Sequence, residues 1–251
     1  MNILILWSEP VLLLTVIFIA AGLVKGVTGM GLPTVAMGLL GSLMSPVAAA
    51  ALLLMPSAVT NVWQMLAGNY TVELWRRLWP MMLGIVLGTL PGVTLLASID
   101  TAWSGMALGS ILIIYAAGAL FSPVLVVPVR YEFWLSPLTG FITGMITGVT
   151  GVFAIPAVPY LQALRLEKEQ LIQALGLSFT ISTLALAAGL TLNGAFRAEQ
   201  LGMSVLCVLP ALAGMWLGQL IRKRISQQVF RRCLLLFLLI IGLQLVLRPF
   251  F

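Results

Sequence analysis

Charge and histidine are what this sequence most lacks. Only 8% of its 251 residues are charged, against roughly 25% in a soluble domain, and none is histidine. The absence of histidine removes the side chain most used for acid–base chemistry at neutral pH and the commonest metal ligand. Two cysteines, Cys207 and Cys233, lie in apolar runs without the spacing of a zinc or redox motif. The sequence therefore predicts no metal site, no cofactor and no disulfide framework.

Acidic residues are sparse, and none lies within an apolar run. The seven occupy the ends of apolar runs or the loops between them: Glu9, Glu73, Asp100, Glu132, Glu167, Glu169 and Glu199. A proton-antiport mechanism that depends on Asp or Glu inside the membrane is therefore disfavoured. An intramembrane enzyme is disfavoured as well, because histidine and buried carboxylates are the usual acid–base groups of such a site.

Apolar sequence dominates what is present. The chain is 61% hydrophobic, with a mean hydropathy of +1.13. Eight apolar runs are separated by Pro, Gly or charged residues, and most are near the ~20 residues needed to cross a bilayer. They are Val11 to Met44, Val47 to Leu66, Leu78 to Ala97, Trp103 to Phe121, Phe133 to Leu164, Leu171 to Leu192, Leu201 to Ile221 and Val229 to Leu247. We therefore expect an all-α polytopic membrane protein with a single transmembrane domain over residues 1–251.

The N-terminal residues and the positive charge are also consistent with a membrane protein. The first ten residues, "MNILILWSEP", contain no basic segment and no small-residue cleavage site, so we expect the first span to be retained. The net charge of +6 comes from basic residues in short loops without interleaved aromatic residues. That distribution reflects membrane topology and does not predict a nucleic-acid partner.

The chain contains an internal repeat. "GLVKGVTGMGLP", from Gly22, matches "GMITGVTGVFAIP", from Gly144, and both copies contain Gly-Val-Thr-Gly followed by a proline. A second set of residues also recurs at equal spacing, with Pro80, Gly84 and Gly88 matching Pro210, Gly214 and Gly218. These matches predict two repeats, about 10–122 and about 132–250, with a seam near Ser122 to Arg130.

The distribution of Lys and Arg favours inverted repeats. If all eight runs crossed the membrane, the loop cations would divide five to seven between the two sides. If instead the first run of each half is a re-entrant hairpin, ten lie on one side and only Arg197 and Arg248 on the other. The ten are Arg76, Arg77, Arg130, Arg165, Lys168, Arg222, Lys223, Arg224, Arg231 and Arg232. The positive-inside rule then predicts two inverted repeats, each a broken re-entrant hairpin plus three transmembrane helices, in a bacterial inner membrane with both termini outside.

The hairpin lengths fit this interpretation. Pro33 to Leu43 has 11 residues and would form about 16 Å of helix, half the hydrocarbon thickness. Val11 to Lys25 would extend about 22 Å, which places the turn near the midplane. Irregular backbone at that depth must face protein or a wet cavity. Two half-helix N-termini meeting there would offer amides to an anion, although a plain kink for close packing is the alternative.

Lys25 is the only charged residue deep in an apolar run, which makes it a candidate for a functional site. Its counterpart in the second repeat is Thr147. The alternative is a lysine that is satisfied by carbonyls or that reaches an interface.

The second run of each half carries aligned polar residues, in "PSAVTNVWQ" and "SFTIST". They could replace the hydration shell of an oxyanion, or they could bond helices together. The predicted substrate-binding residues are Lys25, Gly26, Thr28, Gly29, Gly31, Ser57, Asn61, Gly148, Thr150, Gly151, Ser178 and Ser182. Gly84, Gly88 and Gly92 are instead interpreted as a helix-packing stripe.

The glycine-threonine-glycine turn followed by proline, its recurrence halfway along, and the eight apolar runs resemble the TauE/SafE family of sulfite and organosulfonate transporters. Met30 and Phe153 stand where members often have further glycines. The resemblance implies passage of a small sulfur-containing anion across a bacterial inner membrane.

Two aspects of this function are left open by the sequence. Uncoupled export is energetically feasible, since an anion leaving a negative interior gains ~2.3 kcal/mol per charge per 100 mV. The alternatives are an importer coupled to Na⁺ or H⁺ and a membrane scaffold without transport activity. The expected partners are the anion and the lipid bilayer, and a homodimer is left open.

Overall fold

The computed structural model describes residues 9–121, 126–195, 198–222 and 224–250. Within these ranges every element is helical. The α-helices are α1 (Glu9–Thr28), α2 (Leu32–Gly41), α3 (Pro46–Leu66), α4 (Thr71–Ser98), α5 (Thr101–Phe121), α6 (Val129–Thr150), α7 (Ala157–Ala163), α8 (Lys168–Leu192), α9 (Ala198–Leu206), α10 (Val208–Ile221) and α11 (Gln227–Leu247), followed by a 3₁₀ turn, Arg248–Phe250. The first eight residues, the start of the predicted seam at 122–125, Arg197 and Lys223 lie outside the described residues.

Seven candidate membrane spans are long and apolar enough to cross a bilayer, among the residues that the structure describes. They are Val11–Thr28, Pro46–Leu66, Thr71–Ser98, Thr101–Leu120, Lys168–Leu192, Gln200–Ile221 and Gln228–Leu247. This confirms an all-α, multi-pass membrane protein. Helices α2 and α7 have ten and seven residues, or about 15 and 10 Å, and are too short to cross.

The two short helices follow the two predicted turns. Helix α2 begins one residue before the predicted returning segment and ends two residues earlier, with Pro33 in its first turn, as expected for a residue with a fixed φ and no amide proton. The arm before the turn is longer than predicted. It continues beyond Lys25 to Thr28, because the Gly29 amide still donates to the Lys25 carbonyl at 2.7 Å. Its 20 residues extend about 30 Å, so the depth of the turn stays a prediction.

Glycines allow α4 and α6 to touch through their backbones. A Cβ at Gly88 would lie 2.1 Å from the Phe141 carbonyl oxygen, and one at Gly144 would lie 2.2 Å from that of Ile85. No side chain fits at either position. The predicted packing role of the Gly84, Gly88 and Gly92 stripe is therefore confirmed, and its partner is α6.

Helices α1 and α10 also touch through glycines, and this contact corrects one feature of the sequence repeat. A Cβ at Gly214 would meet the Ile19 carbonyl oxygen at 2.1 Å, and one at Gly218 would meet that of Leu23 at 2.2 Å. In the repeat alignment, Ile19 and Leu23 correspond to Phe141 and Met145. The carbonyl oxygens of Phe141 and Met145 face Gly88 and Gly92. The structure thus equates Gly214 and Gly218 with Gly88 and Gly92, one helical turn beyond the predicted Gly84 and Gly88.

Contacts along the helices give their relative directions. Residue numbers rise together along the α4–α6 and α1–α10 seams, so each pair is parallel. They run oppositely between α5 and α11, where Arg231 bonds to Ala119 and Gly109 packs on Gly242. Helices α3 and α8 are antiparallel too, since Gln64 bonds to Ile172 and Asn61 to Thr183. An inverted repeat predicts these four relations, while the orientation of the repeats in the membrane stays a prediction.

Helix α3 contains Pro56, which has no amide proton for the Leu52 carbonyl. Ser204 of α9 supplies the missing hydrogen-bond donor. Its hydroxyl donates to the Leu52 oxygen at 2.8 Å and accepts from the Met55 amide at 3.0 Å. The middle of α3, where the polar residues of the candidate site begin, is therefore hydrogen-bonded to a side chain from the second half of the chain.

We expect Ser204→Ala to destabilise the protein by about 1–3 kcal/mol, because the Leu52 carbonyl, which has no donor in the helix, loses its partner. The measurement is the midpoint of thermal unfolding in detergent. Ser110→Ala, at an exposed position of α5, is the matched control and should leave the midpoint unchanged. Equal midpoints for the two variants would show that the Pro56 break needs no partner.

Candidate anion-binding site

The two glycine turns have the same local structure. Gly29 and Gly151 are left-handed, with φ of 78° and 69°, a conformation that favours glycine. Each amide donates to a carbonyl four residues earlier at 2.7 Å. In both turns the threonine before the glycine accepts from the amide two residues ahead, at 3.2 Å for Thr28 and 3.3 Å for Thr150. The turn amides of Met30 and Val152 are thus already bonded within the protein.

The first turn contains a second left-handed glycine. Gly31, with φ of 96°, is the N-cap of α2, whereas Phe153 occupies the matching position of the second turn. The first amides of a helix have no acceptor within it. Those of α2 therefore supply donors next to Gly31, and this part of the site has no equivalent in the second repeat.

Lys25 is buried, with 3% of its surface exposed. Its ammonium donates to the Thr60 hydroxyl at 3.1 Å and to the Asn61 side-chain oxygen. Among the described residues it forms no ion pair with a carboxylate. Lys25 therefore neither reaches an interface nor relies on backbone carbonyls. It is a buried cation held by neutral groups of α3.

The hydrogen bonds continue from Lys25 into α8. The Asn61 amide group donates to the Thr183 hydroxyl at 3.2 Å, and Thr183 donates to the Phe179 carbonyl at 2.7 Å. Gln64, one turn beyond Asn61, donates to the carbonyl of Gly29 at 2.9 Å. Three helices, α1, α3 and α8, and the first turn are therefore joined around one ammonium group.

Three buried hydroxyls near this network have no hydrogen-bond partner among the described residues: Ser57, Ser178 and Ser182. Ser57 precedes Asn61 by one turn, and Ser182 is adjacent to Thr183, so both lie on helix segments that contact the network. Buried polar groups are rarely left unpaired. Unpaired hydroxyls on the helices that pack around a buried cation are suited to hydrogen-bonding a polar ligand.

A cavity of about 510 Å³ extends from the first turn towards α5, α7 and α11. Thr28, Gly31 and Thr34 line it, and Thr28 lies one helical turn beyond Lys25. Arg231 and Gln162 also line it, and Arg231 donates to the Ala119 carbonyl at 3.1 Å. Apolar residues, including Leu234 and Leu238, form much of the remaining wall.

The structure divides the predicted site residues into three groups. Lys25, Ser57, Asn61, Ser178 and Ser182 are all buried, and Lys25 and Asn61 are directly bonded; Thr28 and Gly31 line the cavity. Gly29 and Gly151 shape the turns, and Thr150 bonds to the Ile146 carbonyl at 2.7 Å. Gly26 and Gly148 lie within α1 and α6 and pack on the backbones of α10 and α4. The structure gives these last two a packing role.

The sequence does not predict that Arg231 lines the cavity, nor that Arg77 and Glu132 form an ion pair. Arg231 belongs to a basic cluster that indicates topology, and only the fold shows that it lines the cavity while Arg232 does not. Glu132 lies at a helix end as predicted, yet it is buried and paired with Arg77 at 2.7 Å. Thr60, Gln64 and Thr183 belong to the polar pattern of the sequence, since Thr60 and Gln64 follow Ser57 at helical spacing and Thr183 lies next to Ser182.

A family model described as "Sulfite exporter TauE/SafE" matches residues 14–245. The match covers nearly the whole chain and includes every candidate site residue. The chain belongs to the sulfite exporter TauE/SafE family. No curated protein and no solved structure matches it. Membership confirms the predicted resemblance and indicates a membrane anion exporter from a family of transporters. Together with the seven apolar helices, it fits an anionic substrate and a lipid bilayer as partners, and it does not support a homodimer.

Proposed function

We propose that this TauE/SafE protein exports sulfite, or a related small sulfur oxyanion or organic acid, across the bacterial inner membrane. The observation that carries the proposal is the buried Lys25 ammonium, which has no carboxylate partner in the described part of the chain. It is bonded to α3, which with α8 carries buried hydroxyls without a partner, and it precedes the cavity residue Thr28 by one helical turn. In this proposal Lys25, Asn61, Ser57, Ser178 and Ser182 bind the substrate, which reaches them past the first turn of α2.

The donor set suits an oxyanion. A lysine ammonium has three protons, and two are directed at Thr60 and Asn61. The third proton and the serine hydroxyls are available to the oxygens of an anion and would replace part of its hydration shell. A single cation among neutral donors compensates the charge of the buried anion. It does not retain the anion as strongly as several cations would.

The cavity offers an exported anion a point of entry. Arg231 and Gln162 belong to helix ends on the predicted basic side, which the positive-inside rule assigns to the cytoplasm. An anion would enter there, reach the first turn and leave towards the opposite face, where the two chain termini are expected. The membrane potential favours that direction by ~2.3 kcal/mol per charge per 100 mV.

The test is flux from sealed proteoliposomes loaded with labelled sulfite, sulfoacetate, sulfate or acetate, with an imposed membrane potential. We expect efflux of sulfite or sulfoacetate that follows the potential and needs no cation gradient. Flux that requires a Na⁺ or H⁺ gradient would identify a coupled importer instead. Absence of flux for every anion, in a folded and correctly inserted protein, would support the scaffold interpretation.

Arg231→Gln should raise the half-saturating sulfite concentration about tenfold, because a cation in a low-dielectric cavity concentrates anions near the site. The maximal rate should change little, since Arg231 lies at the cavity wall and not in the Lys25 network. Arg232→Gln is the matched control, as its neighbouring arginine does not line the cavity. Identical saturation curves for the two variants would exclude this route for the substrate.

A further inference from the structure

A second pocket lies between the N-terminal ends of α4 and α6. Its volume is about 340 Å³, and it shares no lining residue with the cavity at the first turn. Because α4 and α6 are parallel neighbours, their first turns lie at the same level of the protein. The pocket is lined by Arg76, Arg77, Trp79, Pro80, Val129, Glu132, Phe133 and Ser136.

The polar wall of this pocket retains one positive charge. Arg77 donates to both carboxylate oxygens of Glu132, at 2.7 and 2.9 Å, and this bidentate pair is internally satisfied. Ser136 is bonded to Tyr160 at 2.6 Å. Arg76 is exposed and bonds to no other described residue. Glu73, one turn before Arg76, does not line the pocket, so Arg76 is the cation that remains for a ligand.

The other wall is aromatic and continues onto the surface that faces lipid. Trp79 and Phe133 are 50% and 66% exposed. On α4, Trp75, Trp79, Leu83 and Leu87 follow each other every four residues and are all about half exposed, so they form one apolar stripe. Tryptophan beside arginine at the end of a span is typical of the level at which lipid headgroups lie.

We propose that this pocket binds the phosphate headgroup of an anionic phospholipid, with Arg76 contacting the phosphate and an acyl chain lying along the apolar stripe of α4. Basic pockets between transmembrane helices are suited to anionic headgroups. Inorganic phosphate is also an anion, but it would leave the exposed Trp79 and Phe133 walls unused. The continuity of the pocket with the lipid-facing stripe therefore favours the lipid. Because the pocket is separate from the cavity, this inference does not depend on the transported anion.

The experiment is a thermal-unfolding titration of the purified protein in neutral detergent with phosphatidylglycerol or phosphatidylcholine. A ligand that binds only the folded state raises the midpoint in proportion to ln(1 + [L]/Kd). We expect phosphatidylglycerol to raise the midpoint and phosphatidylcholine to raise it by less than half as much. Arg76→Gln should lose at least half of the phosphatidylglycerol shift. Arg224→Gln, at another exposed arginine, should keep it.

Further arms separate the sources of the phosphate group. Glycerophosphoglycerol, which lacks acyl chains, and inorganic phosphate should give no comparable shift at the same concentration. A shift of equal size from either would show that the site takes a free phosphate and would overturn the lipid proposal. An unchanged phosphatidylglycerol shift in Arg76→Gln would overturn it as well. The unfolding midpoint of each variant without lipid verifies that it is folded.

Discussion

Lys25→Met should lower sulfite efflux from proteoliposomes about 100-fold. In our proposal the Lys25 ammonium is the cation that compensates the charge of the bound anion. Removing one partner of a buried charge pair costs about 3 kcal/mol or more, and each 1.4 kcal/mol corresponds to about tenfold in binding. Methionine keeps the length of the apolar stem, so the packing of α1 against α3 should be largely retained. The measurement is the initial rate of labelled sulfite efflux at saturating and at low concentration.

Lys168→Met is the matched control, because Lys168 is an exposed lysine at the start of α8. It should transport like the wild type. If Lys25→Met is poorly folded, Asn61→Asp provides a second test. It leaves the chain isosteric but places a carboxylate against the ammonium, which should neutralise the site and also abolish flux. Normal flux in a folded Lys25→Met protein would remove Lys25 from the substrate site.

Gly88→Ala should destabilise the folded protein by about 3 kcal/mol or more, at the upper end of the range for overpacked sites. The added Cβ would lie 2.1 Å from the Phe141 carbonyl oxygen and 2.9 Å from the Met145 amide nitrogen. Both are backbone atoms, so the helices themselves would have to separate. The measurement is the thermal-unfolding midpoint in detergent, together with the yield of monodisperse protein.

The control for this substitution is Gly105→Ala. A Cβ at Gly105 would meet nothing within 4 Å, and alanine is a better helix former than glycine. We expect an equal or slightly higher midpoint for Gly105→Ala. Gly144→Ala tests the same seam from α6 and should resemble Gly88→Ala. Midpoints of Gly88→Ala and Gly144→Ala at the wild-type value would show that α4 and α6 are not closely packed.

The broken helix of the first repeat could be predicted because glycine and proline have strong local effects. Gly29 and Gly31 are left-handed, and Pro33 lies in the first turn of α2. Gly26 and Gly148 have the same spacing in both repeats and were assigned to the site for that reason. They lie inside helices instead. A glycine that permits a turn and a glycine that permits close helix contact are identical in a sequence, and only the neighbouring helix distinguishes them.

The residues that sequence reasoning missed depend on tertiary contacts. The pairing of Arg77 with Glu132 requires that α4 and α6 be parallel and in register. The position of Arg231 in the cavity requires that α11 lie beside the first turn. Lys25 was recognisable because a charge within an apolar run is unusual whatever the fold. Its bonds to Thr60 and Asn61, however, depend on where α1 meets α3.

The glycine seams also determine which parts of the protein can move together. Helix α1 is joined backbone to backbone with α10, and α6 with α4, so each half of the chain is locked onto a helix from the other half. Rearrangements that open the proposed anion pathway to the opposite side therefore cannot separate the two predicted repeats, about 10–122 and about 132–250, as two rigid blocks. Motion has to occur between composite units, each built from segments of both halves of the chain.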